Sequence, residues 1–465
     1  MDSENKILRD VMQSQTKTIP TYSKEELRSY LKNIGNSEVN LRRLSRFLYY
    51  RSHIYFRLVN FYSNMFDLRC RKVVPKYDLI KGNDNTKVLK QYQDTLDALS
   101  IMNLQDNMIG ILERCFIEDV CYALYFHDTQ GSFFYILDPD MCKIDRRYMT
   151  GDFGFSIDMS KWSSRTKQEQ LQALGEPLTS MYDEYLSTGI KWVPCPDEYN
   201  ACFKFRVDDW ETVIPPFISL FMSLINLEDL ADVQAIADEQ QIYKLVYLPM
   251  ETLNSASTWD EFKVNPETLL EYFNKFLNEA LPEYVSGAVI PGDGLKTIEF
   301  DDNAANDTDR IENAQTTILN TSGGGMVLNT SKITTQAGFE AALKCETEFA
   351  VSTLMPQINA WTNRMLQLEL GDNHARVEHF EVSVYTKDLL RKSLLESCQY
   401  SFSNRLAYNT LNGISEKDTL AMNYLEEEVL GLHNIMKYPL QSSYTTSSEV
   451  GQGAPEKDAD EKTSG

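Results

Sequence analysis

Pro215-Pro216, followed by twenty-five residues of helical pattern, restricts the fold more than any other feature. Proline fits the first turn of a helix and disrupts its interior. The pair therefore marks a start, and Phe217 to Gln241 reads as one helix of about seven turns at 3.6 residues per turn. Its first half is apolar nearly all round, which requires burial on several sides. Its second half carries Glu228, Asp232 and Glu239, spaced four and seven apart and so on one face. A helix buried at one end and acidic along one stripe suits a packed ring or bundle. Ile242 to Asp302 then reads as a compact α/β insert. It comprises a strand at Tyr243 to Leu248, a helix at Pro266 to Ala280, and a hairpin of Val285 to Ile290 with Lys296 to Phe300 around Pro291-Gly292-Asp293-Gly294. Asp302 to Asn320 follows as a polar helix with a thin stripe at Ile311, Ala314 and Ile318. Two helices bracket a small module.

On the N-terminal side, Ser23 to Asn33 reads as a short capped helix. Leu41, Leu44, Leu48, Tyr55, Leu58, Tyr62 and Met65 form the stripe of one long helix. Between Leu41 and Lys76 lie nine basic residues (Arg42, Arg43, Arg46, Arg51, Arg57, Arg69, Arg71, Lys72 and Lys76) against one acid, Asp67. Such a run is either a solvated helix face or a basic surface that meets an acidic neighbour, another copy of the chain or nucleic acid. A helical pattern covers Lys87 to Glu118. Strands follow at Val120 to His127, Phe133 to Asp138 and Lys143 to Arg147, then a helix over Arg165 to Thr188 and a strand around Ala201 to Val207. After the second bracketing helix, LNTS occurs twice around Gly323-Gly324-Gly325. Gly338 to Leu370 is the longest helical pattern, with a kink expected at Pro356. Val377 to Tyr385 alternates like a strand, and Leu389 to Leu411 pairs with Glu416 to Leu432 around Asn412-Gly413. Ser442 to Gly465 reads as a disordered tail.

The 465 residues allow about two to four domains. With 42% apolar residues a real core is available, and the net charge of −23 argues against a surface that coats nucleic acid throughout. The first residues, MDSENKILRD, have no signal-peptide character. The longest charge-free apolar stretch, Val213 to Leu227, is fifteen residues and short of the roughly 20 a membrane span needs, so a soluble protein is expected. Eight cysteines without CxxC pairs read as buried free thiols of a reducing compartment.

Catalytic chemistry is mostly missing from the motifs. There is no HExxH, no GxSxG elbow and no His/Cys set with zinc spacing; His374 and His379, and Cys195 with Cys202, read as structural. The triple glycine lacks the GK[ST] of a phosphate loop. Asp138, Asp140 and Asp145 invite comparison with a two-metal nuclease, but aspartate is also what a turn between strands wants. The expectation is a protein with no catalytic residues, no cofactor and no metal.

The order of parts resembles the portal proteins of tailed bacteriophages, from about Leu41 to Ser443. Tyr135-Ile136-Leu137-Asp138-Pro139-Asp140-Met141-Cys142-Lys143-Ile144, Asn359-Ala360-Trp361-Thr362-Asn363-Arg364-Met365-Leu366, and the run from Gly413 to Asp418 continuing to Glu426-Glu427-Glu428-Val429-Leu430-Gly431-Leu432 carry the likeness. It implies an α+β, mostly helical fold with wing, helical stem, small α/β clip and helical crown. The boundaries are a leader at 1–38, wing at 39–215, stem at 216–241, clip at 242–301, second stem helix at 302–320, tunnel-loop region, kinked helix and second wing part at 321–388, crown at 389–443 and tail at 444–465. The resemblance implies a virion protein assembled in the host cytoplasm, a ring of twelve copies at one capsid vertex through which double-stranded DNA is packaged and ejected. Its partners would be the large terminase subunit, the major capsid protein and head–tail adaptor proteins, with no membrane. Channel-lining residues would be Glu228, Asp232, Glu239, Asp307, Asp309 and Glu312. The tunnel loop would hold Gly323, Gly324, Gly325 and Met326, and the terminase-docking clip Trp259, Glu261, Lys263 and Glu267. An acidic wall suits a conduit: near 0.15 M salt charge acts over about 8 Å, so carboxylates repel DNA only at close range, whereas Lys and Arg would form contacts to be broken at each step. The basic run would then serve subunit contacts or the capsid-facing rim. An acidic cytosolic scaffold and, behind it, a metal-dependent nuclease at Asp138 are the alternatives.

Overall fold

The computed structural model describes residues 24–76, 84–227, 229–230, 335–400 and 404–432, the helix over 307–321, the backbone of strands at 244–250, 285–291 and 296–298, and residues 265, 267, 268, 271 and 275. Within these the fold is α+β and mostly helical. No helix among them is long and apolar enough to cross a membrane. The chain opens with α1 (Lys24–Lys32), α2 (Glu38–Arg51) and α3 (His53–Ser63). The stripe that reads as one long helix is divided at Ser52. That residue turns extended (φ −94°, ψ 116°), and its hydroxyl accepts the Tyr55 N–H at 3.5 Å. Serine side chains compete for backbone donors, so Ser52 ends α2 and caps α3. After strand β1 (Arg71–Val74), the pattern up to Glu118 also breaks, into α4 (Asn85–Met102), one turn α5 (Leu104–Asn107) and α6 (Ile109–Glu118). The first break falls at Asn103, whose φ of 37° is left-handed, a conformation asparagine tolerates.

Next come β2 (Val120–His127), β3 (Ser132–Ile136), β4 (Cys142–Arg147) and β5 (Phe153–Asp158), then α7 (Arg165–Leu174), α8 (Leu178–Thr188), β6 (Trp192–Pro194) and β7 (Asn200–Lys204). The single helix expected over Arg165 to Thr188 is two, because Gly175 ends α7 with φ 63° and Pro177 follows. Two antiparallel sheets result, ordered β3-β2-β7 and β4-β5-β6. Strand alternation puts β2 between two cores. Cys121, Ala123 and Tyr125 join the main helical cluster, while Val120, Tyr122 and Leu124 join a second cluster with Phe153, Phe155 and Trp162.

Strands β8 (Lys244–Met250), β9 (Val285–Pro291) and β10 (Lys296–Ile298) form a third sheet. The expected hairpin is not made. β8 lies in the middle, parallel to β9 and antiparallel to β10. A parallel pair needs a long crossover, which the 34 residues between β8 and β9 supply. The chain continues through α9 (Asp307–Thr321), α10 (Gln336–Leu370), β11 (Arg376–His379), α11 (Lys387–Gln399), α12 (Arg405–Leu411) and α13 (Glu416–Tyr424). α10 runs unbroken through Pro356. β11 is shorter than the alternating run to Tyr385, because beyond His379 hydroxyls make a local turn: Ser383 N–H donates to Thr386 Oγ1 at 3.0 Å, and Thr386 N–H to Ser383 Oγ at 3.2 Å. Six cysteines are buried free thiols as expected, but Cys345 is exposed and Cys398 half-buried.

α10 is the spine of this arrangement. Its Gln357 donates to the Lys204 carbonyl at 2.7 Å and accepts the Lys204 N–H at 3.0 Å, standing in for a strand beyond β7. One turn on, Trp361 Nε1 donates to the Asn200 carbonyl at 2.8 Å, and Arg364 donates to the same carbonyl at 3.0 Å and to Asp152 at 2.6 Å. On the opposite side of the helix, Asn363 brackets Val377 (2.9 Å and 2.7 Å) and Asn359 brackets His379 (2.7 Å and 3.2 Å). At about 100° per residue these two faces lie roughly 200° apart. Gln357→Leu keeps the volume and strands two buried backbone groups, each worth about 1–3 kcal/mol when unsatisfied. Urea unfolding should show a loss of about 2–6 kcal/mol on that basis, against no more than about 0.5 for the exposed control Asn313→Ala.

Candidate functional site

Both bracketing helices are rooted in the main core. After Pro215 a short 3₁₀ turn (Ile218–Leu220) leads into helix at 221–227, whose Phe221, Leu224 and Leu227 are buried in that cluster with Phe217 and Leu220. α9 re-enters the same cluster through Ile318, with Ala314 packed one turn earlier, as the thin stripe predicts. Its other side, with Glu312, Asn313, Gln315 and Thr317, is exposed. Asp307 and Asp309 lie in the backbone of α9, Asp309 three residues before Glu312 and hence its neighbour on the helix. Glu267 is exposed, its N–H donating to Asn265 Oδ1 at 3.1 Å. Glu228, Asp232, Glu239, Trp259, Glu261, Lys263, Gly323, Gly324, Gly325 and Met326 lie outside the described residues, as do the expected leader helix start and tail.

The basic run is where sequence reading and structure part. Six of its nine cations pair with carboxylates of this same chain: Arg42, Arg43, Arg46, Arg69, Arg71 and Lys72. Lys76 donates to the Asp372 carbonyl at 3.0 Å. Much of the run is therefore tied to this chain's own acceptors: Arg42 is buried and Arg46, Arg71 and Lys72 are half-buried, while Arg43, Arg51, Arg57, Arg69 and Lys76 stay exposed. The centre of this seam is Glu118, fully buried at the end of α6. It receives Arg46 in a two-pronged grip at 2.5 Å and 2.8 Å, and Arg114 at 2.7 Å. Arg46 reaches on to Asp138 at 3.2 Å, while Arg42 and Arg43 hold Asp140 at 2.8 Å and 3.0 Å. Burial disfavours the Arg46 charge, but Glu118 and Asp138 outweigh it and raise its pKa beyond the ordinary value.

A cavity of about 380 Å³ opens on this seam, lined by Arg46, Arg114, Glu118, Tyr135, Asp138 and Lys167. It holds the turn that suggested a nuclease. Asp138 caps the turn by accepting the Asp140 N–H at 3.2 Å, and Asp145 engages Arg146 and the Ser156 hydroxyl. Each aspartate is committed to an arginine, and no group of three or more His, Cys, Asp or Glu among the described residues could hold a metal ion. His374 Nδ1 faces the Gly371 carbonyl and His379 Nδ1 the Asn359 amide, so the two imidazoles serve separate local contacts. What this arrangement does chemically is clamp α2, α6 and the β3–β4 turn together. Asp67, the one acid of the run, does the same between Arg69 (2.9 Å) and Lys387 of α11 (2.8 Å).

No family model matches the sequence, and no curated protein matches it. Two solved structures to which the chain is similar come from gene transfer agent particles. One is the neck of an empty particle computed with C6 symmetry, with a TM-score of 0.44 and 11% identity over 79% of this chain and 91% of that one. The other is the virion of a native particle, with a TM-score of 0.42 and 11% identity over 81% and 93%. Likenesses of this size carry no argument about function.

Two outcomes follow from the seam. Glu118→Gln leaves Arg114 without its counter-charge and Arg46 with Asp138 alone, and should lower stability by about 3 kcal/mol, whereas breaking the exposed Arg165–Glu169 pair should change it by less than about 1. For Asp67, burial alone would raise the pKa, but Arg69 and Lys387 hold it below the ordinary 3.8. A depressed folded-state pKa stabilises fully above the unfolded value, and that contribution is lost as pH falls from 3.8 through the folded value. Asp67→Asn should flatten the acid limb of Tm against pH below 3.8 while lowering Tm at pH 7.

Proposed function

We propose that the chain is a portal protein of the tailed-phage type, a ring-forming conduit for double-stranded DNA at one capsid vertex. The observation that carries the reading is the shared root of its two bracketing helices. One leaves the main core at residues 221–227 and the other returns through Ile318. Between them lies a sheet whose three strands, among the described residues, pair with one another and with no other strand. Such an excursion has no use within one globule, but many copies side by side make two concentric walls of it. In this reading the β8–β10 unit with Glu267 is the clip that docks the terminase motor and later the neck and tail proteins. The exposed polar side of α9, with Glu312 and its neighbour Asp309, belongs to the channel wall together with Glu228, Asp232 and Glu239. Carboxylates there keep a polyanion from adhering. Arginine-clamped aspartates at Asp138, Asp140 and Asp145 leave the nuclease reading without support.

Negative-stain imaging with sizing of the purified protein tests this. A ring with a central hole, at many times the 53.5 kDa of one chain, is expected. A monomer or dimer would favour the acidic scaffold. With the ring in hand, reversing Glu228, Asp232 and Glu312 to Lys should slow DNA passage in a packaging assay without disturbing assembly. Unchanged packaging would remove the acidic wall from the proposal.

A further inference from the structure

α13 is poorly accounted for by its own chain. It is held at its start, where Ser415 caps it, Glu416 is buried against Arg71 and Lys417 pairs with Asp97. The helix then continues as one wide turn at Leu425–Val429. From Leu420 to Leu430 every residue is exposed except the half-buried Glu427. Six of these are large and apolar: Leu420, Met422, Tyr424 (64% exposed), Leu425, Val429 (59%) and Leu430. A helix of this length is marginal in water by itself, and so many large apolar side chains left exposed within eleven residues mark a contact with another polypeptide. The same stretch carries Glu426, Glu427 and Glu428, so its partner surface is apolar and cationic.

This chain presents such a surface at the junction of α2 and α3. The exposed residues there are Tyr50, Arg51, His53, Phe56 and Arg57, with no acid among them. Tyr49 packs on both outward aromatics, at 5.4 Å from the Tyr50 ring and 5.2 Å from that of Phe56. The patch is thus pre-arranged before any contact. Arg57 is the one member of the basic run that makes no ion pair or hydrogen bond among the described residues. We propose that the Leu420–Leu430 segment of one copy docks on the Tyr50–Arg57 patch of the next, aromatic and aliphatic side chains together and Glu426 and Glu428 against Arg51 and Arg57. Two different patches of one chain meeting head to tail make a heterologous contact, which closes into a ring when the rotation closes. The proposal deepens the ring reading and rests on it.

A charge swap measured by sizing with light scattering on the full chain tests the contact. Glu426→Arg with Glu428→Arg, and separately Arg51→Glu with Arg57→Glu, should each raise the midpoint concentration of assembly by roughly tenfold or more. Combining the four should restore it to near the parent value. Val429→Asp should weaken assembly without rescue by any charge change. All these side chains are exposed in the single chain, so the circular dichroism of the folded variants should stay that of the parent. A parent that assembles while both swaps and Val429→Asp leave the midpoint unmoved would overturn this contact and leave the ring reading standing. A parent that stays monomeric at every concentration would overturn both. Loss of assembly in each swap without recovery in the combination would overturn the pairing of these two patches.

Discussion

Buried strand edges must be satisfied, and in this protein one helix does it for two sheets. An edge strand turns a row of backbone donors and acceptors away from its neighbour, and burying that row without partners costs more than the strand gains from packing. α10 supplies the partners as side-chain amides and an arginine: Gln357 and Arg364 toward β7, Asn359 and Asn363 toward β11. Because these groups lie on opposite sides, α10 has to pass between the sheets, and everything attached to either sheet is positioned by it. Trp361 adds an apolar wedge on the β7 side, packing its ring on Tyr125, Phe134 and Phe203. The helices that root the bracketed module join the same core.

A second constraint is electrostatic. The chain carries a large net negative charge, yet its interior clamps are built with arginine. Glu118, Asp138 and Asp140 are held by cations from α2 and α6, and Asp152 by Arg364. Such pairs are costly to desolvate and costlier to break. They favour one arrangement of the elements over others in which a carboxylate would be buried alone. Because each clamp withdraws a carboxylate along with its cation, the net negative charge stays on the rest of the chain, and an exposed cation such as Arg57 stands out against it.

Local patterns with both faces apolar were legible. β2 was read to its end residues because alternation and burial on both sides leave little freedom, and the roots of the two bracketing helices followed from Pro215-Pro216 and the Ile311–Ile318 stripe. Breaks inside continuous stripes were not. Ser52 and Asn103 are polar residues that fit a helix surface as well as a cap, and only the turn of the chain around them selects the cap. The supposed hairpin misled because sequence adjacency favours pairing β9 with β10, whereas the sheet puts β8 between them. The ion pairs of the basic run are hidden for the same reason at longer range. Arg46 meets Glu118 and Asp138 at separations of 72 and 92 residues, which no window along the chain can register.

The amino-acid order by itself determined the type of most segments, which faces are apolar, and that strands lie between a helix after Pro215-Pro216 and the helix ending near Ile318, since periodicity and proline stereochemistry act over a few residues. Whether a charge is spent inside or shown outside was decided only by the tertiary structure. A guanidinium is equally content with water or with a distant carboxylate, and the fold alone determines which of the two is within reach.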